Sequence, residues 1–541
     1  MSAPRASCHR TNLIGRRQFL AESASFVATS LLSRSVLAAK PSPVVKTSCG
    51  LLRGEVNERG VLVFKGVPFA APPVGPLRFR PPEKHLRWSG VRDATQFSPM
   101  SLQNVDEILK SNLPPMGEDC LYLNIWTSSA DNAKRPVLFY IHGGAFVQGS
   151  GSAPDFDGTN LARNEDVVVV TINYRLGVFG FPPFRVFGDG VSNNLGLLDQ
   201  IAALEWVQEN IGAFGGDPGR VTISGLSAGG WSVAALMVIP EARQLFHRAN
   251  PQSGSMMTAQ TPDLQAFHAR NFLAALGLNA SELPKVTTLP AAVLLKAQES
   301  AIEQFHKSKY YQLGDDQLPF IPARDATVLP VDPIDLIKRG ECARVPLLAG
   351  GSAEEVGSAP FRLALPQVKD WYQKPVTLEV LEHWVSRERA MQIWDGHAKD
   401  HPDTSEAKLA GLIRTDFFYR MPSIRISEAC SGEHRTWMYR FELRASAPAV
   451  GMSTHATDMA FWFGNMDRSR VFQFLFGRPA TPEEQALSRR MQHDLAAFAR
   501  DGAAPWPAYD THERQTMIYD KTSYVDADPS GDDRRLWDGL V

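Results

Sequence analysis

A serine in the stretch 221–235, VTISGLSAGGWSVAA, has the neighbours that a catalytic nucleophile needs. A β-branched run ends at Gly225, Ser227 lies in a G-x-S-x-G pattern, and an apolar helical segment follows. In this order the motif predicts a nucleophile elbow, a sharp strand-to-helix turn that holds the serine in strained backbone. Glycines let the strand and the helix pass closely, and the helix N-terminus favours negative charge beside the serine. Ser227 is therefore the predicted nucleophile.

Such a serine needs a base to accept its proton, and the base needs an acid to fix its tautomer. After a nucleophile elbow the acid and then the histidine follow in the chain. An apolar strand at 344–351 leads into Glu354 and Glu355, which are adjacent, so their chemistry alone does not choose between them. His455 follows a later strand at 436–443. Of the thirteen histidines it alone lies where this order requires a base, and the others suit surface or core positions.

Acyl transfer also needs backbone N–H groups that stabilise the negatively charged oxygen of the tetrahedral intermediate. One donor is the N–H of Ala228, the residue after the nucleophile. The glycine-rich turn at 142–145, HGGA, follows an early buried strand at 137–141 and is expected to supply the others. Alone, this turn would be an ordinary tight turn. Its occurrence together with the elbow gives it a chemical role.

The elements that must position these groups alternate between strand and helix. This alternation predicts an α/β fold with a doubly wound, mostly parallel sheet flanked by helices. The Pro-rich stretch 64–82 is expected to be an extended covering loop, and the helical blocks 259–339 and 363–430 are expected to be insertions that cap the sheet. Short strands of an edge meander are predicted at 44–53 and 61–68, and further strands at 118–126 and 166–173. The most clearly marked helices lie at 194–211 and 482–501, the latter with a capping box formed by Thr481 and Glu484.

Composition excludes several other classes of function. The 541 residues are 44% hydrophobic and 21% charged, which is ordinary for a globular protein, and residues 40–541 are expected to form one domain. A net charge of −2 predicts no nucleic-acid partner. The sequence has no zinc-ligand cluster and no phosphate-binding glycine loop. Beyond the N-terminus no apolar run is long enough to span a bilayer, so no membrane insertion is expected.

The N-terminus carries a twin-arginine pattern, RRQFL at 16–20. An apolar stretch follows as far as Leu32, and small residues at 36–39 suit cleavage by signal peptidase. Residues 1–39 are therefore predicted to be a signal peptide, which would take the protein to the periplasm or outside the cell. The five cysteines are scattered without a C-x-x-C motif, and export of a protein that is already folded favours unbridged thiols, so we predict no disulfide.

Together these stretches resemble the type-B carboxylesterases, the esterase, lipase and cholinesterase branch of the α/β-hydrolase fold. The resemblance implies that fold with helical cap insertions, and a serine esterase that needs no metal or organic cofactor and acts on a small-molecule ester. The stretches that carry it are FKGVPFAAPPVGPLRFRPP at 64–82, EDCLYLNIW at 118–126, HGGAF at 142–146, the nucleophile block at 193–230 and FHRANPQSGS at 246–255.

The resemblance assigns the triad position by position. Ser227 is the nucleophile, and the acid aligns on Glu355, with Glu354 where the family often has aspartate. The family's late G-x-x-H-x-x-E/D pattern falls on His455, with Asp458 as the acidic residue that follows it. These assignments imply an acyl-enzyme mechanism.

The resemblance also assigns the oxyanion hole to Gly144, Ala145 and Ala228, in a loop shaped by Gly143. Three departures from the family accompany it. Leu226 replaces the usual glutamate before the nucleophile, which makes cationic alcohols poor candidates. Cys120 lacks its usual upstream partner, because there is no cysteine between 50 and 119, and Val356 replaces the glycine usual after the acid.

Two alternative functions remain open at this stage. The same machinery could act on an amide, a carbamate or a lactone, because fold and triad do not fix the substrate. A binding module on this fold is the other, although such relatives lack the serine or the histidine that this chain retains. The pocket walls are expected from the two helical blocks, and Phe461, Trp462 and Phe463 either line the pocket or pack in the core.

Overall fold

An eleven-stranded sheet is the scaffold of the part of the chain that the structure describes. The computed structural model describes residues 42–104, 114–188, 193–254, 259–312, 319–356, 377–432, 435–447 and 451–540. The described strands are β1 (Val44–Lys46), β2 (Leu51–Arg53), β3 (Glu55–Val56), β4 (Leu62–Pro68), β5 (Val91–Asp93), β6 (Met100–Ser101), β7 (Met116–Gly117), β8 (Tyr122–Thr127), β9 (Arg135–Ile141), β10 (Val168–Ile172), β11 (Gly216–Leu226), β12 (Arg248–Gln252), β13 (Leu347–Ser352), β14 (Thr436–Phe441), β15 (Gln515–Tyr519) and β16 (Tyr524–Ala527).

The order across this sheet is β16-β15-β14-β13-β12-β11-β9-β10-β8-β4-β3. The seven strands from β15 to β10 run parallel, and antiparallel strands extend the sheet at both edges. Strands β1, β2 and β5 form a small separate sheet, and β6 pairs with β7. The mostly parallel sheet predicted from the sequence is therefore present.

Helices surround the sheet. The α-helices are α1 (Thr159–Glu165), α2 (Gly177–Gly180), α3 (Leu195–Asn210), α4 (Ala228–Val238), α5 (Pro262–Ala275), α6 (Ala291–His306), α7 (Lys309–Gln312), α8 (Pro333–Lys338), α9 (Leu378–Trp384), α10 (Arg387–Asp400), α11 (Glu406–Thr415), α12 (Met421–Ser431), α13 (Met459–Phe463), α14 (Arg470–Phe476), α15 (Pro482–Asp501) and α16 (Gly531–Arg535). A π-helical turn spans Asp416–Arg420, and 3₁₀ turns span Gly75–Leu77, Pro154–Phe156, Arg185–Phe187, Ile211–Phe214 and Ala280–Thr288. No helix among the described residues is both long enough and apolar enough to cross a membrane.

Two large apolar cores cover the two faces of the sheet. Along β9, Val137, Phe139 and Ile141 pack in the first core, while Leu138 and Tyr140 pack in the second. Helices α3 and α4 cover the first core, and α13 and α15 cover the second. Burial on both faces explains why the parallel strands have continuously apolar sequences rather than alternating ones.

Several predicted elements fall where the sequence places them. Helix α15 begins at Pro482, and Thr481 and Glu484 form the predicted capping box. Cys120 is a buried free thiol whose pKa burial raises to about 12, in line with the predicted lack of a bridge. The predicted signal peptide at 1–39 and part of the second helical block, 363–376, lie outside the described residues.

Two overlapping predictions concern the stretch 61–82, a short strand at 61–68 and a covering loop at 64–82. Residues 62–68 form β4 and pair with β8, so the strand is confirmed and the covering loop is wrong for residues 64–68. Phe461, Trp462 and Phe463 are at most 1% exposed and pack in the second core. Of the two alternatives left open from the sequence, core packing is the correct one, because the short helix α13 that carries these residues packs against the sheet.

Candidate active site

The strand-to-helix turn predicted at Ser227 is present. Strand β11 ends at Leu226, helix α4 begins at Ala228, and Ser227 between them has φ 59° and ψ −123°. Its N–H donates to the carbonyl of Gln252 at 2.9 Å, and the N–H of Trp231 donates to the carbonyl of Ser227 at 2.9 Å. A residue held in this backbone region costs about 1–3 kcal/mol and persists only where its surroundings impose the conformation.

Two glycines of the motif are required by steric contact with the neighbouring strand. A Cβ atom at Gly225 would lie 2.7 Å from the carbonyl oxygen of Ile141 and 2.5 Å from the carbonyl carbon of Gly229. A Cβ atom at Gly229 would overlap that same carbonyl oxygen of Ile141. The close approach of strand and helix that the sequence predicts is therefore what excludes side chains here.

Glu355 and His455 come together at the carboxyl end of the sheet. Strands β11 to β14 are parallel neighbours, so the residues that follow them meet at one edge. His455 Nδ1 lies 2.6 Å from Glu355 Oε2, and their side chains are 2% and 1% exposed. Because a carboxylate can only accept, Nδ1 carries the proton and Nε2 is left as the basic nitrogen. Glu355 Oε1 accepts the N–H of Ser352 at 2.8 Å.

The adjacent Glu354 has different partners. Its Oε1 accepts a hydrogen bond from Arg444 Nη2 at 3.3 Å and lies 3.6 Å from Lys408 Nζ. The two glutamates therefore contact different partners, and Glu355 is the one that accepts a hydrogen bond from His455. The geometry makes the choice between the two that residue chemistry alone leaves open.

The glycine-rich turn lies directly against the nucleophile. A Cβ atom at Gly143 would lie 3.1 Å from Ser227 Cβ. Gly144, Ala145 and Phe146 follow with φ values of 117°, 54° and 61°, so the chain makes a left-handed turn here. The carbonyl of Phe146 accepts the N–H of Gly177 at 2.7 Å, which fixes the end of the turn. The predicted oxyanion loop is thus next to Ser227, whose other neighbour, Ala228, begins α4.

His142, to which we assign no separate role from the sequence, supports this turn through contacts with Tyr174. Its ring stacks on that of Tyr174, with centroids 4.5 Å apart, and the Tyr174 hydroxyl donates to the His142 carbonyl at 2.9 Å. Burial lowers the pKa of His142 to about 4, so the ring is neutral at physiological pH. A neutral ring places no positive charge beneath the loop.

Asp458, the acidic residue that follows His455, is fully buried. Its Oδ2 accepts hydrogen bonds from the Tyr439 hydroxyl at 3.2 Å and from Trp462 Nε1 at 3.1 Å. Burial, followed by the nearby charge of Glu355, raises the pKa of Asp458 to about 6.

Tyr419 and Val356 are parts of the site that the sequence did not assign. The Tyr419 ring lies 4.9 Å from the His455 ring, and Val356 packs with Tyr419, Leu264 and Phe305 in an apolar cluster that Ala145 also contacts. The aromatic residues at 417–419 could have suggested a contact with the site, but the sequence does not show which face of their helix meets it. Leu226, the departure before the nucleophile, is buried in the second core.

A cluster of His397, Asp416 and Asp533 has potential metal-ligand atoms within 4.8 Å of one another. Arg420 occupies this cluster as well. Its Nη2 lies 2.6 Å from Asp416 Oδ2 and 3.8 Å from Asp533 Oδ2, so a guanidinium already supplies the positive charge that a metal would bring. The donor set fits a buried ion-pair network better than a metal centre.

The chain is similar to known esterases along almost its whole length. Residues 41–537 match the model of the family described as "Carboxylesterase family". The chain is 37% identical to the para-nitrobenzyl esterase of Bacillus subtilis, over 91% of this chain and 98% of that protein, and 33% identical to the phenmedipham hydrolase of Pseudarthrobacter oxydans, over 88% and 94%. A solved PNB esterase structure superposes with a TM-score of 0.80 at 36% identity, covering 92% of this chain and 99% of the other.

The substitution Asp458→Asn should increase stability more at pH 7.5 than at pH 4. Because the pKa of the folded state, about 6, lies above the ordinary 3.8, the folded protein binds this proton more tightly than the unfolded chain does. Ionisation of Asp458 therefore lowers the free energy of unfolding as pH rises from about 4 to about 6. Asparagine stays neutral and can still accept from Tyr439 and Trp462.

The measurement is the urea midpoint of both proteins at pH values between 4 and 7.5. A difference between the variant and the wild type that does not change with pH would contradict the expected titration.

Proposed function

Because the chain belongs to the carboxylesterase family and is a carboxylic-ester hydrolase of the serine type, we propose that Ser227, His455 and Glu355 form its catalytic triad. Its relatives of known structure also confirm the α/β-hydrolase fold expected from the sequence. The observation that carries the proposal is the buried 2.6 Å bond between His455 Nδ1 and Glu355 Oε2. It lies at the same sheet edge as the strained Ser227 turn.

The first half of the proposed cycle forms an acyl-enzyme. Ser227 Oγ attacks the ester carbonyl carbon while His455 Nε2 takes its proton. The carbonyl π electrons move to the oxygen, which the N–H groups of Gly144, Ala145 and Ala228 stabilise. When the tetrahedral intermediate collapses, the bond to the alcohol oxygen breaks and His455 returns the proton to that leaving group.

The second half releases the acid. His455 takes a proton from water, whose oxygen attacks the acyl carbon, and the same three N–H groups stabilise the new oxyanion. The bond to Ser227 Oγ then breaks, and His455 protonates the serine. Glu355 stays ionised throughout and stabilises the imidazolium. Every proton transfer uses His455, so the cycle is complete without a metal or an organic cofactor.

The triad is tested with a matched pair of glutamate variants. Glu355→Gln should lower kcat for p-nitrophenyl acetate by about 10²- to 10⁴-fold, because an amide can stabilise the wrong imidazole tautomer. Glu354→Gln changes the adjacent carboxylate, whose partners are Arg444 and Lys408, and should change kcat by no more than about threefold. Ser227→Ala should lower kcat by about 10⁴-fold or more.

Equal losses in Glu354→Gln and Glu355→Gln would contradict the assignment of the acid. Covalent labelling by a p-nitrophenyl phosphonate, with one p-nitrophenolate released per active site, separates a damaged triad from a misfolded chain. A wild-type protein that neither turns over esters nor is labelled at Ser227 would overturn the proposed nucleophile.

The alcohol site is proposed to favour neutral groups. Leu226 presents a buried apolar side chain directly before the nucleophile, where no carboxylate is available to attract a cation. The apolar cluster around Val356 and Tyr419 also contacts Ala145 of the oxyanion loop.

Two substrates of nearly equal shape test this preference: acetylthiocholine and its uncharged isostere 3,3-dimethylbutyl thioacetate. We expect kcat/KM to be higher for the neutral substrate by about tenfold, because burying an unpaired ammonium beside apolar side chains is unfavourable. A higher kcat/KM for acetylthiocholine would contradict this preference.

A separate comparison tests the type of acyl bond. Values of kcat/KM for a p-nitrophenyl ester, the matching anilide and the matching carbamate show which of these bonds the enzyme hydrolyses best.

Export is proposed from the N-terminal pattern. RRQFL at 16–20, the apolar stretch that follows it and the small residues at 36–39 have the order of a twin-arginine signal. We expect cell fractionation to find the protein outside the bacterial cytoplasm, with an N-terminus that begins just after Ala38 or Ala39. The double variant Arg16→Lys, Arg17→Lys should keep the full-length chain in the cytoplasm. An unprocessed cytoplasmic chain for the wild type as well would contradict the proposal.

A further inference from the structure

One long helix contacts the proposed triad. It consists of α11, the π-turn Asp416–Arg420 and α12, and the contacts lie at and directly before its π-turn. We propose that this turn, together with Thr415 directly before it, positions the triad: Thr415 fixes the loop that carries Glu355, and Tyr419 holds the imidazole of His455. The inference rests on the proposed function, because it concerns how these same groups are kept in register.

The π-turn has a local cause in the sequence. The N–H of Met421 donates to the carbonyl of Asp416, five residues earlier, where an α-helix would use the fourth. Pro422 follows at once, and its ring has no N–H and excludes the carbonyl position of an ordinary α-helical turn. Wide turns of this kind are rare, and many lie at functional sites. Here the extra residue shifts the side chains of 416–420 around the helix relative to those of α11.

The first contact reaches the acid. Thr415 Oγ1 accepts the N–H of Val356 at 3.1 Å and donates to the Gly411 carbonyl at 2.9 Å. Val356 is the residue directly after Glu355, and Thr415 is 1% exposed. The hydroxyl therefore holds the backbone on the downstream side of the acid, while Ser352 N–H holds its carboxylate.

The second contact reaches the base. The Tyr419 ring lies 4.9 Å from the His455 ring at an angle of 51°. Tyr419 is 9% exposed and His455 is 2% exposed, so the two rings meet in a closely packed interior. A ring in this place limits the rotation that would move His455 away from Glu355.

Buried ion pairs fix the ends of the π-turn from neighbouring helices. Asp416 Oδ2 lies 3.0 Å from His397 Nε2, on α10, and 2.6 Å from Arg420 Nη2. Asp533, on α16, lies 3.2 Å from His401 Nε2 and 3.8 Å from Arg420 Nη2. Removing one partner of such a buried cluster leaves an uncompensated charge, so the cluster resists movement of the turn.

The inference is tested with pairs of variants that remove or keep each contact. Thr415→Val keeps the shape and removes the acceptor, and Thr415→Ser keeps the hydroxyl. Tyr419→Ala removes the ring, and Tyr419→Phe keeps it. Tyr524 lies on the edge strand β16 and is 50% exposed, so Tyr524→Ala is the control for loss of a tyrosine.

We expect Thr415→Val and Tyr419→Ala to lower kcat for p-nitrophenyl acetate by about 10- to 100-fold, because small displacements of catalytic groups are costly. The KM of Thr415→Val should stay unchanged, since this buried side chain does not reach substrate. Thr415→Ser and Tyr419→Phe should recover kcat to within about threefold. Phosphonate labelling, expressed per mole of protein, corrects each value for the fraction of folded sites.

Proton NMR supplies a measurement that does not depend on turnover. We expect the His455 Nδ1–H that bonds to Glu355 at 2.6 Å to give a strongly downfield signal, identified by its loss in His455→Gln. In Thr415→Val and Tyr419→Ala this signal should shift or broaden, and in the two conservative variants it should return to the wild-type position.

Wild-type kcat values together with an unmoved signal in Thr415→Val and Tyr419→Ala would overturn the inference. A different result would overturn the proposed function instead: a wild-type protein that shows the signal but neither turns over esters nor is labelled. The effect of the variants on the signal would still decide whether the π-turn positions the pair.

Discussion

The proposed active site depends on one buried hydrogen bond, between His455 Nδ1 and Glu355 Oε2. These residues are 100 positions apart in the chain, and they meet because β13 and β14 are adjacent parallel strands that end at the same edge. Burying a carboxylate is unfavourable unless its oxygens are bonded. Here one oxygen bonds to His455 and the other accepts the N–H of Ser352, so the geometry that orients the base also makes the burial of Glu355 tolerable.

The nucleophile depends on a different constraint, the close packing of backbone against backbone. Ser227 occupies a strained conformation that only a rigid surrounding can impose, and the sheet supplies it by burial on both faces. Ile141 links the strained turn to the oxyanion loop, because its carbonyl excludes side chains from Gly225 and Gly229 and its strand continues directly into the glycine-rich turn. A change in this strand would therefore disturb both features at once.

The sequence predicts the sheet, the elbow and the order of the site residues because these rest on local patterns: apolar runs, glycine spacing and helix caps. Residue chemistry alone could not choose between Glu354 and Glu355, since adjacent residues of one chemistry differ only in what the fold places beside them; the family resemblance is what pointed to Glu355. The aromatic run 461–463 leaves two alternatives open for the same reason, because pockets and cores both contain large apolar side chains. Pro422 is the local sequence feature that favours the π-turn. The contacts by which we propose that the turn positions the triad are with residues distant in the chain, which the sequence does not show.

Two buried carboxylates beside one histidine would compete for it unless their environments differed. Glu355 has a bonded partner on each oxygen, and one of these is the imidazole. The carboxylate of Asp458 accepts only from the neutral groups of Tyr439 and Trp462, both on Oδ2, and its Oδ1 has no hydrogen-bond partner among the described residues. The negative charge of Glu355 therefore adds to burial in raising the pKa of Asp458. Two carboxylates whose environments differ in this way take different roles. The position directly before the nucleophile adds no third carboxylate, because Leu226 is apolar.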